Sequence, residues 1–397
     1  MADVCIYFQA HQPNRLKPYT FFEIGRDPFY ENDILNKEVL DRVSDKCYLR
    51  ANEMMLQLIE KTKGEFKIAY SLSGVFIEQL ENHRWDVLES FKKLADTGKV
   101  EFLAETYYHS LAFLYSKEDF KKQVEAHQER IFRHFGVKPK VFRNTELIYN
   151  NELAKFIEDL GYDGIISEGV DWYLNGRTPN VLYKAPNAPR IKTLLKNYKL
   201  SDDVAFRFGD NSWSEHPLTA DKYTSWLKQQ EGDVVNIFID YETIGEHKWE
   251  DTGIFQFWSE LPEKVLAAGM KFRTPSEVVK KYKVKDTYDV HNAISWADTE
   301  RDLSAWIGND MQKEALDKVY NLEKYIKMTK NLDLWHVWRK LQTSDHFYYM
   351  STKQNNDGIV HAYFSPYPSP YDAYMFYMNS LSDLEITLEK EGFDVEI

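Results

Sequence analysis

Short runs of consecutive apolar residues alternate with longer stretches whose apolar residues recur every three or four positions, and this rhythm holds over the first two thirds of the chain. A continuous apolar run fits a strand covered on both faces. Its alternation with helical periods is the pattern of βα units around a parallel sheet. The runs predict strands at "VCIYF" (4–8), "FKIAYSL" (66–72), "VEFLAE" (100–105), "VFRNTE" (141–146), "GIISE" (164–168), "VAFRF" (204–208), "VVNIFID" (234–240) and "MKFRT" (270–274). Between them, "NKEVLDRVSDKCYLRANEMMLQLIEKTKG" has a helical period and ends in Gly64, placed just past a helix terminus. "FRTPSEVVKKY" carries a helix start, with Thr274 at the N-cap, Pro275 in the first helical position and Glu277 completing a capping box. A barrel of about seven or eight βα units is the simplest closure.

Beyond residue 285 the period changes. "QKEALDKVYNLEKYIKMTKNLDLWHVWRKLQTSDHFYYM" repeats its apolar residues at helical spacing throughout. The predicted organisation is therefore a βα barrel over 1–285 and a C-terminal helical region over 286–397 that packs on it. The chain shows no internal repeat and no low-complexity tract.

Composition changes this picture in two ways. The 43% hydrophobic and 28% charged fractions are ordinary globular values, but 26 Tyr, 24 Phe and 10 Trp exceed what a core asks for. Aromatic faces with polar tips suit a cleft that holds sugar rings or other flat ligands. The net charge of −13 repels phosphate backbones and anionic lipid, which argues against nucleic-acid and membrane partners and for a neutral substrate. "MADVCIYFQAHQPNR" lacks the basic start and long apolar core of a signal peptide, and no run approaches the length of a membrane span. With Cys5 in an apolar run and Cys47 on a predicted helix, the expectation is a cytoplasmic protein without disulfides. The sequence sets no oligomeric state.

The strand ends carry the chemistry. The first ends in "QAHQPNR" with His11 and Gln12; the third contributes Glu101, Glu105 and His109; the fourth, Arg143 and Glu146; "NIFIDYETIGEH" releases Asp240, Glu242, Glu246 and His247. Acids in or beside strand interiors carry a desolvation cost that solvated loops avoid, so four such strands predict one shared polar site. Two facing carboxylates, one ionised and one protonated, are what glycoside cleavage needs. A zinc site is the competing chemistry, but no H-x-x-x-H or H-E-x-x-H spacing occurs, and neither metal nor cofactor is expected.

Five short segments resemble glycoside hydrolase family 57: "HQP" (11–13), "GKVEFLAETYYHS" (98–110), "NTELIY" (144–149), "IDYETIG" (239–245) and "TSDHFYYM" (343–350). The resemblance implies an incomplete (β/α)7 barrel followed by helices, and α-glucans or maltooligosaccharides as substrates. It implies Glu146 as nucleophile and Asp240 as general acid/base. His11, Glu101, His109, Glu242, Asp345 and Tyr348 would contact substrate. Family glucanotransferases carry Trp three residues before the nucleophile and seven after the acid/base; here those places hold Arg143 and His247, also taken as cleft residues. "ETYYHSLAFLYS" and "NSWSEHPLTADKYTSWL" look more like the α-amylase members. The expected function is retaining, α-amylase-like hydrolysis of α-1,4-glucosidic bonds. The alternatives are 4-α-glucanotransferase or branching-type transfer, a catalytically weak α-glucan-binding protein, and a metal-dependent polysaccharide deacetylase.

Overall fold

The computed structural model describes residues 1–395. Its strands are β1 (Asp3–Ala10), β2 (Ile68–Leu72), β3 (Val100–Phe102), β4 (Val141–Arg143), β5 (Gly164–Glu168), β6 (Leu182–Ala185), β7 (Ala188–Lys196), β8 (Val234–Asp240) and β9 (Val284–Thr287). They form a four-stranded sheet in the order β3-β2-β1-β8 and a five-stranded sheet in the order β4-β5-β7-β6-β9. The hairpin partners β6 and β7 are antiparallel, and every other pair is parallel.

The sheets meet along both edges. Ala104, just past β3, bridges in parallel to Phe142 of β4. On the other side the Asn197 amide donates to the Asn236 carbonyl at 2.9 Å, and Asn236 Nδ2 donates to the Leu195 carbonyl at 2.8 Å. Seven parallel strands thus lie side by side around a shared apolar interior of residues such as Tyr7, Leu103, Val141, Ile166, Leu194 and Phe238. Register sets their ends level: Gln9 of β1 pairs with Asp240 of β8, and Ala10 with Leu72 of β2. Strands buried on both faces can release polar groups only at their ends, which is where the functional side chains gather.

Two larger cores lie outside this interior. One packs helices against the four-stranded sheet. The other joins Phe142, Ile165 and Tyr183 of the five-stranded sheet to Trp306, Leu316, Trp338 and Leu381 of the C-terminal helices. Those helices therefore share a core with the sheet. Among the described residues no helix is long and apolar enough to cross a membrane.

Several predicted strands differ in extent or kind. The third and fourth stop early, at Phe102 and Arg143, because the chain turns there into the site. Residues 204–208 form no strand: Asp203–Arg207 is a wide helical turn following the helix Tyr198–Asp202. Leu200, Val204 and Phe208 are buried while Phe206 is exposed, a four-residue spacing that overrides the apparent alternation of 204, 206 and 208. "MKFRT" contributes one bridge, Phe272 to Val4, at the start of β1 where β2 has not begun. The unpredicted hairpin β6–β7 turns at "APNA", a Pro-Asn signal between alternating segments. The Thr274 capping box is present on Pro275–Lys281, and Gly64 has φ 76 just beyond Leu49–Lys61.

Candidate active site

The carboxyl ends of β1, β4 and β8, with the segment after β3, open into one cleft of about 670 Å³ lined by His11, His109, Arg143, Glu146, Asp240 and Glu242, among others. Its size lies within the range that encloses a small organic ligand, about 300–1,000 Å³.

Glu146 stands on the tight turn Thr145–Leu147 with φ 55, a left-handed conformation that a non-glycine residue adopts only where its surroundings enforce it. Both carboxylate oxygens are engaged. His109 Nε2 lies 3.1 Å from Oε1, and Trp296 Nε1 donates to Oε2 at 2.8 Å. The Trp296 amide also donates to the Glu146 carbonyl at 3.1 Å. Burial alone would push this carboxyl up, but the His109 hydrogen bond and charge, with the Arg143 guanidinium, hold it below its ordinary value. His109 is itself clamped between two acids, with Nδ1 3.0 Å from Glu105 Oε2. Burial works against its protonation, yet the hydrogen bonds it donates to Glu105 and Glu146 raise it to about 9, so it is an imidazolium at neutral pH. Glu105 is held down at about 2: burial opposes this, and His109 and Arg143 outweigh it.

Asp240 has the opposite surroundings. It accepts no side-chain hydrogen bond from a described residue, and burial first, then the charge of Glu146, raises it to about 6. Glu242, two residues on, accepts from the Tyr48 hydroxyl and from the His11 amide at 3.3 Å. Burial and the neighbouring Asp240 raise it to about 8, so it is protonated at neutral pH.

The helical part reaches the same cleft. The Ser344 amide donates to the His109 carbonyl at 2.9 Å, and Thr343 bridges to Ser110, which brings Ser344–Tyr348 over the strand ends. Asp345 Oδ2 then lies 3.1 Å from His11 Nε2, while His11 Nδ1 meets Ser73 Oγ at 2.6 Å. The His11 and His109 rings stack at 4.0 Å. Burial disfavours the Asp345 carboxylate, but His11 and His109 hold it well below the ordinary range. Tyr348 lines the cleft and stacks on His361 at 3.7 Å.

Arg143 is fully buried at the cleft, 3.9 Å from Glu105 Oε2 and 5.2 Å from the Trp296 ring centre. His247 lines the outer cleft. Glu101 is not brought to the site. Its Oε2 accepts from the Ser276 amide at 2.9 Å and its Oε1 from the Ser276 hydroxyl, so it caps the helix Pro275–Lys281. Four residues along a strand is about 13 Å, which puts Glu101 at the opposite end of the interior from Glu105. Sequence reasoning missed Trp296 as a cleft residue because "AISWADTE" lies in polar connecting chain with no periodicity. Among the described residues, no group of three or more His, Cys, Asp or Glu converges as metal ligands.

The sequence profile of Glycosyl hydrolase family 57 matches residues 5–291. This chain belongs to glycosyl hydrolase family 57. A Methanocaldococcus jannaschii protein named "Putative alpha-amylase" is 44% identical over 408 residues, covering 98% of this chain and 86% of that protein. Two solved structures share the fold. The family-57-type branching enzyme of Pyrococcus horikoshii aligns with TM-score 0.68 at 16% identity, over 99% of this chain and 92% of that one. The alpha-amylase AmyC of Thermotoga maritima aligns with TM-score 0.60 at 14% identity, over the whole of both chains.

Proposed function

We propose that the protein is a retaining α-glucan glycosidase in which Glu146 is the nucleophile and Asp240 the general acid/base, on an incomplete (β/α)7 barrel with a helical wall. The observation that carries this reading is the opposed treatment of two neighbouring carboxyls. Glu146 is half-buried and held ionised by two donors, while Asp240 is half-buried without a donor and raised to about 6. A pair of acids pushed apart in this way can divide the work of nucleophile and proton donor.

In the first step a Glu146 oxygen attacks the anomeric carbon as the glycosidic bond breaks, and the Asp240 proton passes to the departing oxygen. In the second, Asp240 takes a proton from water, the water oxygen attacks the same carbon, and Glu146 is released as carboxylate. His109 stays cationic beside Glu146 and stabilises its carboxylate. Glu242 in its protonated form, His11 and Asp345 are placed to hold sugar hydroxyls.

Hydrolysis is favoured over transfer by the 44% identical relative's name and by Arg143 and His247 standing where the glucanotransferases of the family carry Trp. Incubation with maltooligosaccharides, with products resolved by chain length, tests this. Hydrolysis yields shorter chains alone. Chains longer than the starting sugar would instead assign a transferase.

A further inference from the structure

The cleft continues beyond the two acids. Phe206, His247, Trp249, Tyr363 and Phe364 line the same cavity as Glu146. Phe206, Trp249 and Tyr363 are 63%, 59% and 62% exposed, so large rings stand in water at the mouth of a cleft whose floor is buried. Such a cluster is not core packing.

Two opposed walls carry these rings. Phe206 stands on the turn after β7 and Trp249 on the loop after β8, and Lys248 Nζ ties them by donating to the Phe206 carbonyl at 3.0 Å. Across the opening, Tyr363 and Phe364 end the helix Asn355–Phe364. This helix is fastened by His361, whose Nε2 lies 3.0 Å from Asp298 Oδ2. His247 joins the walls, with its ring edge-on to Tyr363 at 5.9 Å and to Phe364 at 5.5 Å. Burial, then Lys248, lowers it to about 4, so it is neutral at neutral pH and serves as a spacer.

Charge at the rim is already paired. Arg42 and Lys46 meet Glu246 at 3.0 Å and 4.0 Å, and Lys46 braces Trp249 from 4.7 Å. What the rim leaves free is aromatic surface. That surface suits the apolar C–H faces of uncharged pyranose rings rather than an anion.

We propose that this rim is a set of outer sugar-binding subsites, which grip the chain running out from the bond held between Glu146 and Asp240 and so select long α-glucans over short maltooligosaccharides. The proposal rests on the glycosidase reading for its ligand, and its test separates the two.

Binding of maltotriose and maltoheptaose to the Glu146→Gln variant is measured by calorimetry, with and without Trp249→Ala or Tyr363→Ala. The heptaose should bind about tenfold tighter than the triose. Each alanine should cost the heptaose about five- to tenfold while costing the triose less, and Trp249→Phe should keep most of the affinity. Equal affinities for the two sugars, or equal losses on both, would overturn the proposal. So would alanine variants with unchanged sugar affinity but an altered oligomeric state by sedimentation, which would make the rim a protein interface. Chain-length-dependent binding without turnover by the unsubstituted protein would sink the glycosidase reading and leave the rim standing.

Discussion

Replacing His109 by Gln keeps a donor near Glu146 but removes the charge. In the native site His109 Nε2 lies 3.1 Å from Glu146 Oε1, both groups are well enclosed, and the imidazolium also lowers Asp240. A hydrogen bond to a charged group is worth about 1.5–3 kcal/mol, which corresponds to about one to two pH units on the carboxyl it supports. The sign follows from each role. Glu146 works ionised, so activity is present above its pKa, and raising that value erodes the acid side of the profile. Asp240 works protonated, so activity is lost above its pKa, and raising that value extends the alkaline side. Both limbs of kcat/KM against pH, measured on a maltooligosaccharide whose departing oxygen needs the Asp240 proton, should therefore move upward in the variant, the acid limb by about one to two units. An acid limb that stays in place while the whole profile shrinks would show that His109 does not support the ionised nucleophile.

In the unsubstituted protein the alkaline limb of kcat/KM should fall near pH 6, where Asp240 loses its proton; a limb near 8 would transfer the acid role to Glu242. Trp296→Phe removes the donor to Glu146 Oε2 but keeps a ring, and kcat should drop about tenfold with little change in KM, read by steady-state kinetics. Glu101→Gln should retain turnover while lowering Tm, because a helix N-terminus loses about 1 kcal/mol of capping; loss of activity in the folded variant would restore it to the site. Calorimetric stability should fall as pH rises from about 6.5 to 9. His109 (about 9), Asp240 (about 6) and Glu242 (about 8) bind protons more tightly folded than unfolded, so their contribution declines as pH rises through those values, while Glu105 (about 2) loses its contribution on acidification.

The sequence made the site legible wherever burial and register are simple. β1, β5 and β8 are continuous apolar runs, and the acids that follow β8 are where the run predicts them. Asp345, about a hundred residues past β8, was found by its motif, and a single bridge between Thr343 and Ser110 explains its arrival. What escaped notice obeys longer-range rules. Glu101 and Glu105 look alike in "VEFLAETYYHS", and both side chains leave the chain toward the same interior. They differ in which end of that interior they reach, which is a property of neighbouring strands. Trp296 lies in connecting chain fixed by groups far away: Arg301 on the same loop pairs with Glu168 at 2.8 Å. The segment 204–208 satisfies two periods at once, and contacts of Leu200 and Phe208 decided between them.

The division of labour between Glu146 and Asp240 is tested most directly by trapping. Asp240→Asn removes the proton donor and the later base, so an activated aryl α-glycoside, which departs without full protonation, should still load the enzyme while water attack slows by about 10²- to 10⁴-fold. Intact-mass and peptide analysis should then find one glycosyl unit in ester linkage on Glu146. A glycosyl unit on any other residue, or its absence from a variant that still releases aryl alcohol at a fast steady rate, would contradict the assignment.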